Sequence, residues 1–175
     1  HGGWVSYYWN HGLNYSYVKT VQKGDKTYIV GTGFYPESSK FLVKQLVKRA
    51  IQTGIDFGAP ELFRRINNPT GDFVMGDVYL WAYDMFGNAF AHGRNLAIVG
   101  QNRLSWKDSQ GKYRNKIMID LVQEKGSAWV DYDEYGINKF AYVDSFVDPK
   151  TDKQYMIGGG YYPRISEDVI ISFVK

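Results

Sequence analysis

The residues best equipped for chemistry lie in one run, G-D-V-Y-L-W-A-Y-D-M-F-G-N-A-F-A-H-G, from Gly76 to Gly93. Val78, Leu80 and Ala82 alternate with Tyr79, Trp81 and Tyr83, the period of a strand with two different faces. Tyr79 and Trp81 therefore share a face, where they offer an apolar wall together with an O–H and an N–H donor. Asp84 to Asn88 carries turn chemistry, with Gly87 able to take positive φ, so Ala89, Phe90 and Ala91 lead back antiparallel to His92. His92 can donate from either ring nitrogen and becomes a cation on modest perturbation. Further along, Lys139 stands on a strand between Asn138 and Phe140, from which an ammonium could point off a sheet face. A carboxylate held in a partly desolvated cavity needs such a fixed cation or several donors, because an unpaired buried charge is costly. Ordinary roles stay open for all of them: packing under a helix for Tyr79 and Trp81, a hairpin-end position for His92, a solvated strand start for Lys139. Trp129 is a further candidate for ligand contact, although a matching tryptophan at Trp4 favours a structural role.

Other chemistry finds little support. The chain has no G-x-S-x-G, no H-E-x-x-H and no glycine-rich phosphate loop with its lysine. Gly158-Gly159-Gly160 follows a strand, but Tyr161-Tyr162-Pro163 comes next, so a dinucleotide fingerprint fails. Asp131 and Asp133 could be drawn as a carboxylate pair for glycoside chemistry, yet two residues apart on a strand they fit a solvated edge better. No enzyme activity, cofactor or metal site is expected. A formal charge of +3, with no block of basic residues, gives no reason to expect nucleic acid. The absence of Cys removes disulfide scaffolds and thiolate metal sites. With 44% hydrophobic and 22% charged residues over 175 positions, one folded domain, or a domain plus a fragment, is expected. No apolar run is long enough for a membrane span and no signal peptide is visible. Beginning at His1 without Met, the chain reads as a piece of a longer protein.

The elements that must position these residues follow from the changes of period. Trp4–Trp9, Tyr15–Val21 and Thr27–Val30 read as strands, with breaks at His11-Gly12, Gly24-Asp25 and Gly31-Thr32-Gly33. From Pro36 and Ser38 or Ser39 a helix is expected, with Leu42, Leu46, Val47, Ala50 and Ile51 on one face and Gly54 as its stop. Pro60 opens a second, short helix to Ile66. After the aromatic hairpin, residues 94–108 are loop-like. A helix through Ile117, Met118, Leu121 and Val122 then leaves at Gly126, and strands follow at Trp129–Tyr132, Phe140–Phe146 and Tyr155–Ile157.

An internal repeat changes how the ends are read. W-V-S-Y at Trp4 returns as W-V-D-Y at Trp129, S-Y-V at Ser16 as A-Y-V at Ala141, and G-T-G-F-Y-P as G-G-G-Y-Y-P. The separation is 125 residues at the tryptophans and 127 at the closing prolines, Pro36 and Pro163. Three strands in front thus match the last three strands behind. Beyond Pro163, Ser166-Glu167-Asp168 resembles a helix cap, and Val169, Ile170, Phe173 and Val174 align with Leu42, Val43, Leu46 and Val47.

The order G-D-V-Y-L-W-A-Y-D-x-F-G-N-A-F-A-H, N-L-A-I-V-G-Q-N, K-D-S-Q-G-K, W-V-D-Y, K-F-A-Y-V and I-G-G-G-Y-Y resembles the small, single Cache domains of bacterial sensors. The resemblance runs from about Glu61 to Pro163, and its last part recurs in Trp4 to Tyr35. It implies an α+β fold: a PAS-like antiparallel sheet with a long helix in front, here preceded by the three-strand second half of a similar unit. Residues 1–35 would close a preceding Cache-like unit, 36–163 would be a complete one with its leading helix, and 164–175 would begin a following helix or connector. It also implies a periplasmic or extracellular sensor in a histidine kinase or chemoreceptor, membrane-anchored in its parent and binding a small organic acid of the acetate, pyruvate or lactate class. The family's pocket positions fall on Tyr79, Trp81, His92 and Lys139. Two departures stand out: the family's H-P is His92-Gly93 here, and the serine of its K-x-S-Y-V is Ala141. In the front half-unit the lysine position is Asn14, so the same anion site does not carry over. A carbohydrate-binding module, with exposed Trp and Tyr stacking on sugar rings, and a ligand-free structural or dimerisation domain are the alternatives. The unpaired edges of the front strands should be covered by the complete unit or by a second copy of the chain in a homodimer.

Overall fold

Lys40, Lys44 and Lys48 alternate with Val43, Leu46, Val47 and Ala50 at helical spacing, and in the computed structural model they form the two sides of helix α1, Lys40–Phe57. The structure describes residues 2–9, 12–35, 40–134 and 136–163. The start of the expected helix at residues 36–39 and the capping pattern beyond Pro163 lie outside the described residues, as does His11. Val43, Leu46, Val47 and Ala50 are buried, whereas Leu42 and Ile51 are only partly buried at the rim of the same core. Gly54 does not stop the helix. An added Cβ there would lie 2.6 Å from the Phe146 ring, so this glycine lets the helix approach the sheet, and the chain leaves at Gly58, where φ is +89°. A second helix, α2, then covers Ala59–Ile66, with Pro60 in its first turn.

The sheet in front of α1 has six strands: β4 (Val74–Met75), β5 (Val78–Asp84), β6 (Ala89–His92), β7 (Ser127–Glu134), β8 (Ile137–Val147) and β9 (Gln154–Tyr161). Their order is β4-β5-β9-β8-β7, with β6 also paired to β5. Every pairing is antiparallel. Helix α3, Arg114–Lys125, precedes β7 and leaves at Gly126 with φ +77°. Alternation sorts each strand between two cores. Val78, Leu80, Ala82, Tyr142, Phe146, Tyr155 and Ile157 face α1 and α2. Tyr79, Trp81, Tyr83, Tyr132, Ala141, Val143 and Met156 face the other way, where Ile98, Met118, Ile119 and Val122 close over them. The last strand is longer than Tyr155–Ile157, because the glycine triplet continues it instead of ending it.

Strands β1 (Gly2–Trp9), β2 (Gly12–Lys23) and β3 (Lys26–Phe34) form a separate antiparallel sheet in that order. Its register repeats the end of the larger sheet. Trp4 opposes Tyr17 as Trp129 opposes Tyr142, and Ser16 opposes Gly33 as Ala141 opposes Gly160. The sequence repeat is therefore a repeat of strand pairing, and the two sets of strands do not close into one barrel. The small sheet meets the larger unit through Tyr35 and Gly12, both packed on the β4–β5 turn at Gly76.

The larger unit keeps both its cores without β1–β3, so a chain starting at residue 36 is expected to fold on its own. The loss should not exceed about 1.5–3 kcal/mol, the burial of one side chain such as Tyr35. Circular dichroism and a thermal melt of residues 36–163 check this; a chain without a cooperative transition would make β1–β3 an integral part of the unit.

Candidate ligand site

Lys139 is the organising residue. Alternation on β8 sends it to the same face as Ala141 and Val143, away from α1, and it is 0% exposed. Across the sheet from it, β9 contributes glycines. A Cβ on Gly158 would lie 2.3 Å from the Trp81 indole, and one on Gly160 would lie 3.0 Å from the Lys139 side chain. The triplet thus leaves the space that the two large side chains occupy.

Three donors converge on one carboxylate oxygen here. Lys139 Nζ lies 2.8 Å from Glu134 Oε2 and also donates to Tyr79 Oη at 2.6 Å. Tyr162 Oη donates to the same Glu134 Oε2 at 2.7 Å, and Tyr79 Oη reaches it at 3.5 Å. Arg114, the first residue of α3, approaches Glu134 Oε1 at 3.3 Å and lies over the Tyr132 ring. The ammonium is also 4.1 Å from the Tyr79 ring centre, 5.0 Å from that of Tyr162 and 5.6 Å from that of Trp81. Burial pushes Lys139 down to about 8, against the charge of Glu134, which holds it up. Burial alone would raise Glu134, but Lys139, Tyr162 and Arg114 outweigh it and hold the carboxyl at about 2. The buried lysine is thus an ion pair with a partner from its own chain, not a waiting cation.

His92 closes one side of the cluster. Its ring centre is 5.0 Å from Tyr79 and 6.5 Å from Trp81. Its Nδ1 accepts from the backbone N–H groups of Arg94 and Asn95 at 3.3 and 3.0 Å. The proton of the neutral ring then belongs on Nε2. Burial, reinforced by the charge of Lys139, lowers its pKa to about 4. His92 is therefore a neutral donor at pH 7 in the free domain. The structure brings Tyr79, Trp81, His92 and Lys139 together. Trp129 is elsewhere: it lies on the α1 face, against Tyr142 at 5.2 Å and under Lys40. Counting along β7 finds this, since Trp129 is an odd number of residues from Tyr132 and Glu134. The same count places Glu134 on the Tyr132 face once β7 is seen to run on to it; sequence reading ends the strand at Tyr132 and misses Glu134 together with Tyr162 and Arg114.

Trp81 is buried beside Lys139 and Trp129 is on the opposite face, so these two do not share an open platform for sugars; Trp4 packs on Tyr17 and Phe34, and Trp9 is exposed at the end of β1. Asp133 accepts from the Gly136 N–H and from Ser109 at the sheet margin, away from Lys139. Among the described residues no three acidic or histidine side chains are placed to hold a metal, and no helix is long and apolar enough to cross a membrane.

Helices α1 and α2 before an antiparallel sheet, a second layer on the far face and a donor cluster under that layer define a PAS-like sensor fold. The single Cache domain 2 family model matches residues 40–162, and the chain belongs to that family. Its domains are ligand-binding sensors of chemoreceptors and related signalling proteins, extracytoplasmic as a class. Among solved structures the chain is similar to a methyl-accepting chemotaxis protein from Vibrio parahaemolyticus RIMD 2210633, at 19% identity, TM-score 0.53, over 70% of this chain and 87% of that one. It is also similar to a Cache chemosensory domain described for carboxylic acid recognition, at 20% identity and TM-score 0.52, over 69% and 86%. A periplasmic sensor domain of a chemotaxis protein matches at 20% identity and TM-score 0.50, over 69% and 88%. No curated protein matches the chain significantly.

The neutral histidine sets a pH dependence of stability. With a folded pKa near 4 against an ordinary value of 6.5, His92 contributes stability that is fully present above pH 6.5. That contribution is lost as pH falls through 4, and at most it is about 3 kcal/mol. Urea unfolding at pH 7 and pH 4.5 should show a larger fall for the wild type than for His92→Gln. Parallel behaviour of the two proteins would contradict the assignment.

Proposed function

We propose that residues 36–163 are the extracytoplasmic ligand-binding sensor domain of a bacterial histidine kinase or chemoreceptor, and that the ligand is a small organic acid. The observation that carries this is the convergence of Lys139, Tyr79 and Tyr162 on a single carboxylate oxygen, walled by Trp81 and His92. That arrangement meets the requirements of a desolvated carboxylate: one fixed positive charge, more than one further donor, and aromatic surface excluding water. The parent protein is membrane-anchored on this reading. Residues 1–35 correspond to the closing strands of a preceding Cache-like unit, a reading supported by the repeated register of β1–β3, and 164–175 lead into a following helix or connector.

A thermal-shift screen of acetate, propionate, pyruvate and lactate, each beside its amide and beside neutral sugars, tests the ligand class. A ligand that binds only the native state raises the melting temperature by mass action. Acids should shift the transition and their amides should not. The double replacement Lys139→Met with Glu134→Gln removes both charges and should lose the acid-dependent shift. A shift with sugars alone, or with amides as large as with acids, would refute the acid reading.

A further inference from the structure

The carboxylate at the centre of the site belongs to the protein itself. Glu134 is the last residue of β7, an edge strand of the sheet, two residues before the turn glycine Gly136 at φ +82°. Its side chain is 11% exposed, against 0% for Lys139, and it stands on an edge strand, so its departure would unpair no central strand. Inside, it occupies the acceptor position on which Lys139, Tyr79 and Tyr162 converge. We propose that Glu134 is a tethered competitor of the ligand: it holds the anion seat in the free domain, and a monocarboxylate binds by taking over its hydrogen bonds from Lys139, Tyr79 and Tyr162 while Glu134 turns out to solvent.

Occupancy of the donors favours exchange over addition. With Glu134 in place, Lys139, Tyr162 and Tyr79 already serve its Oε2 and Arg114 its Oε1, so a ligand anion entering beside it would find these donors taken and would bring a second carboxylate against the first. Exchanging one carboxylate for another leaves the buried charge unchanged. A cationic ligand has the opposite difficulty, because both oxygens of Glu134 are already engaged, one by Lys139 and Tyr162 and the other by Arg114. The repeat supplies independent support. In the matching half-sheet, Tyr132 corresponds to Tyr7 and Tyr162 to Tyr35, but Lys139 corresponds to Asn14 and Glu134 to Trp9. The cation and the anion are absent together, while Tyr132 and Tyr162 keep tyrosine counterparts. Affinity for an acid is then lowered by the fraction of molecules in which Glu134 has left the seat.

The inference rests on the organic-acid reading, and the test separates the two. Acetate and formate, the smallest carboxylates, are titrated calorimetrically into wild type, Glu134→Ala and Glu134→Gln at constant ionic strength, with sodium chloride as control. Glu134→Ala should bind acetate at least about tenfold more tightly than wild type. Its melting temperature, lowered by loss of the ion pair, should recover with added acetate more than that of wild type does. Adding Lys139→Met to Glu134→Ala should abolish both effects. The amide of Glu134→Gln keeps the shape but not the charge of the competitor, so its affinity should be intermediate; this variant also serves if the alanine protein fails to fold. Acetate binding wild type and variants equally, or wild type more tightly, would overturn the competitor role and leave the acid reading standing. No acetate or formate binding by any of the folded proteins would overturn the competitor role, and the absence of a thermal shift with propionate, pyruvate and lactate as well would overturn the acid reading.

Discussion

Lys139→Met is expected to cost the domain about 3–5 kcal/mol, the usual loss when one partner of a buried ion pair is removed and the other stays. Methionine matches the lysine stem and can pack among Tyr79, Trp81 and Tyr162, so little of the loss comes from volume. What remains is the Glu134 carboxylate, whose nearest cation becomes Arg114 at 3.3 Å, on the other oxygen. Tyr162 and Tyr79 still donate to Oε2, but two phenols do not neutralise a charge. Adding Glu134→Gln should therefore return much of the stability, with a coupling between the two sites of more than about 1 kcal/mol, as expected for residues in contact. Urea unfolding of the four proteins in the cycle measures it. A single-mutant loss below about 1 kcal/mol, or additive effects, would mean that Glu134 already sits in water in the free domain. Such a result would also weaken the case for Glu134 as a competitor, because a carboxylate that is free to leave does not block the seat.

How much of this was legible in the sequence depended on the range over which each feature is encoded. The face shared by Tyr79 and Trp81, the turn at Gly87 and the return to His92 are properties of about fifteen consecutive residues, and the structure keeps them. The long helix was legible for the same reason, except at Gly54. In isolation a glycine reads as a helix stop; its actual role depends on Phe146, far away in sequence, whose ring leaves no room for a Cβ. Counting along β7 reaches Glu134 only once the strand is known to continue past Tyr132, and Asp133 and Glu134 are poor strand formers that hide its end. Only the pairing of Tyr132 with Lys139 carries the strand two residues further and turns Glu134 into the site. Lys139 itself was placed by family pattern, and its distance to Tyr79 follows from a register in which β9 lies between their strands. That register is not written in any local window.

Gly158→Val should be the most disruptive substitution in the sheet that leaves every charge in place. Gly158 pairs directly with Trp81 on β5 and with Val143 on β8, and the indole occupies the space a Cβ would need. An added Cβ would stand 2.3 Å from the indole, with strand backbone behind it, so it is the ring that has to move. Lys139 and His92 border the indole at 5.6 and 6.5 Å, so its displacement disturbs the donor cluster. Overpacking in a filled core costs about 1–3 kcal/mol and sometimes more. Against this stands the gain from replacing a strand glycine by a β-branched residue, about 1 kcal/mol or less. The clash wins, and a net loss of about 2 kcal/mol or more is expected, with Gly158→Ala losing less. Shrinking the ring should reverse the sign of the interaction: in a Trp81→Leu background, Gly158→Ala should cost less than it does alone, because the space it needs has been vacated. Denaturant unfolding gives the energies, and the quenching or shift of tryptophan fluorescence reports whether the indole has left its place. Wild-type stability for Gly158→Val would show that the indole does not rest on this glycine. The middle of the sheet would then have no need of a glycine at position 158.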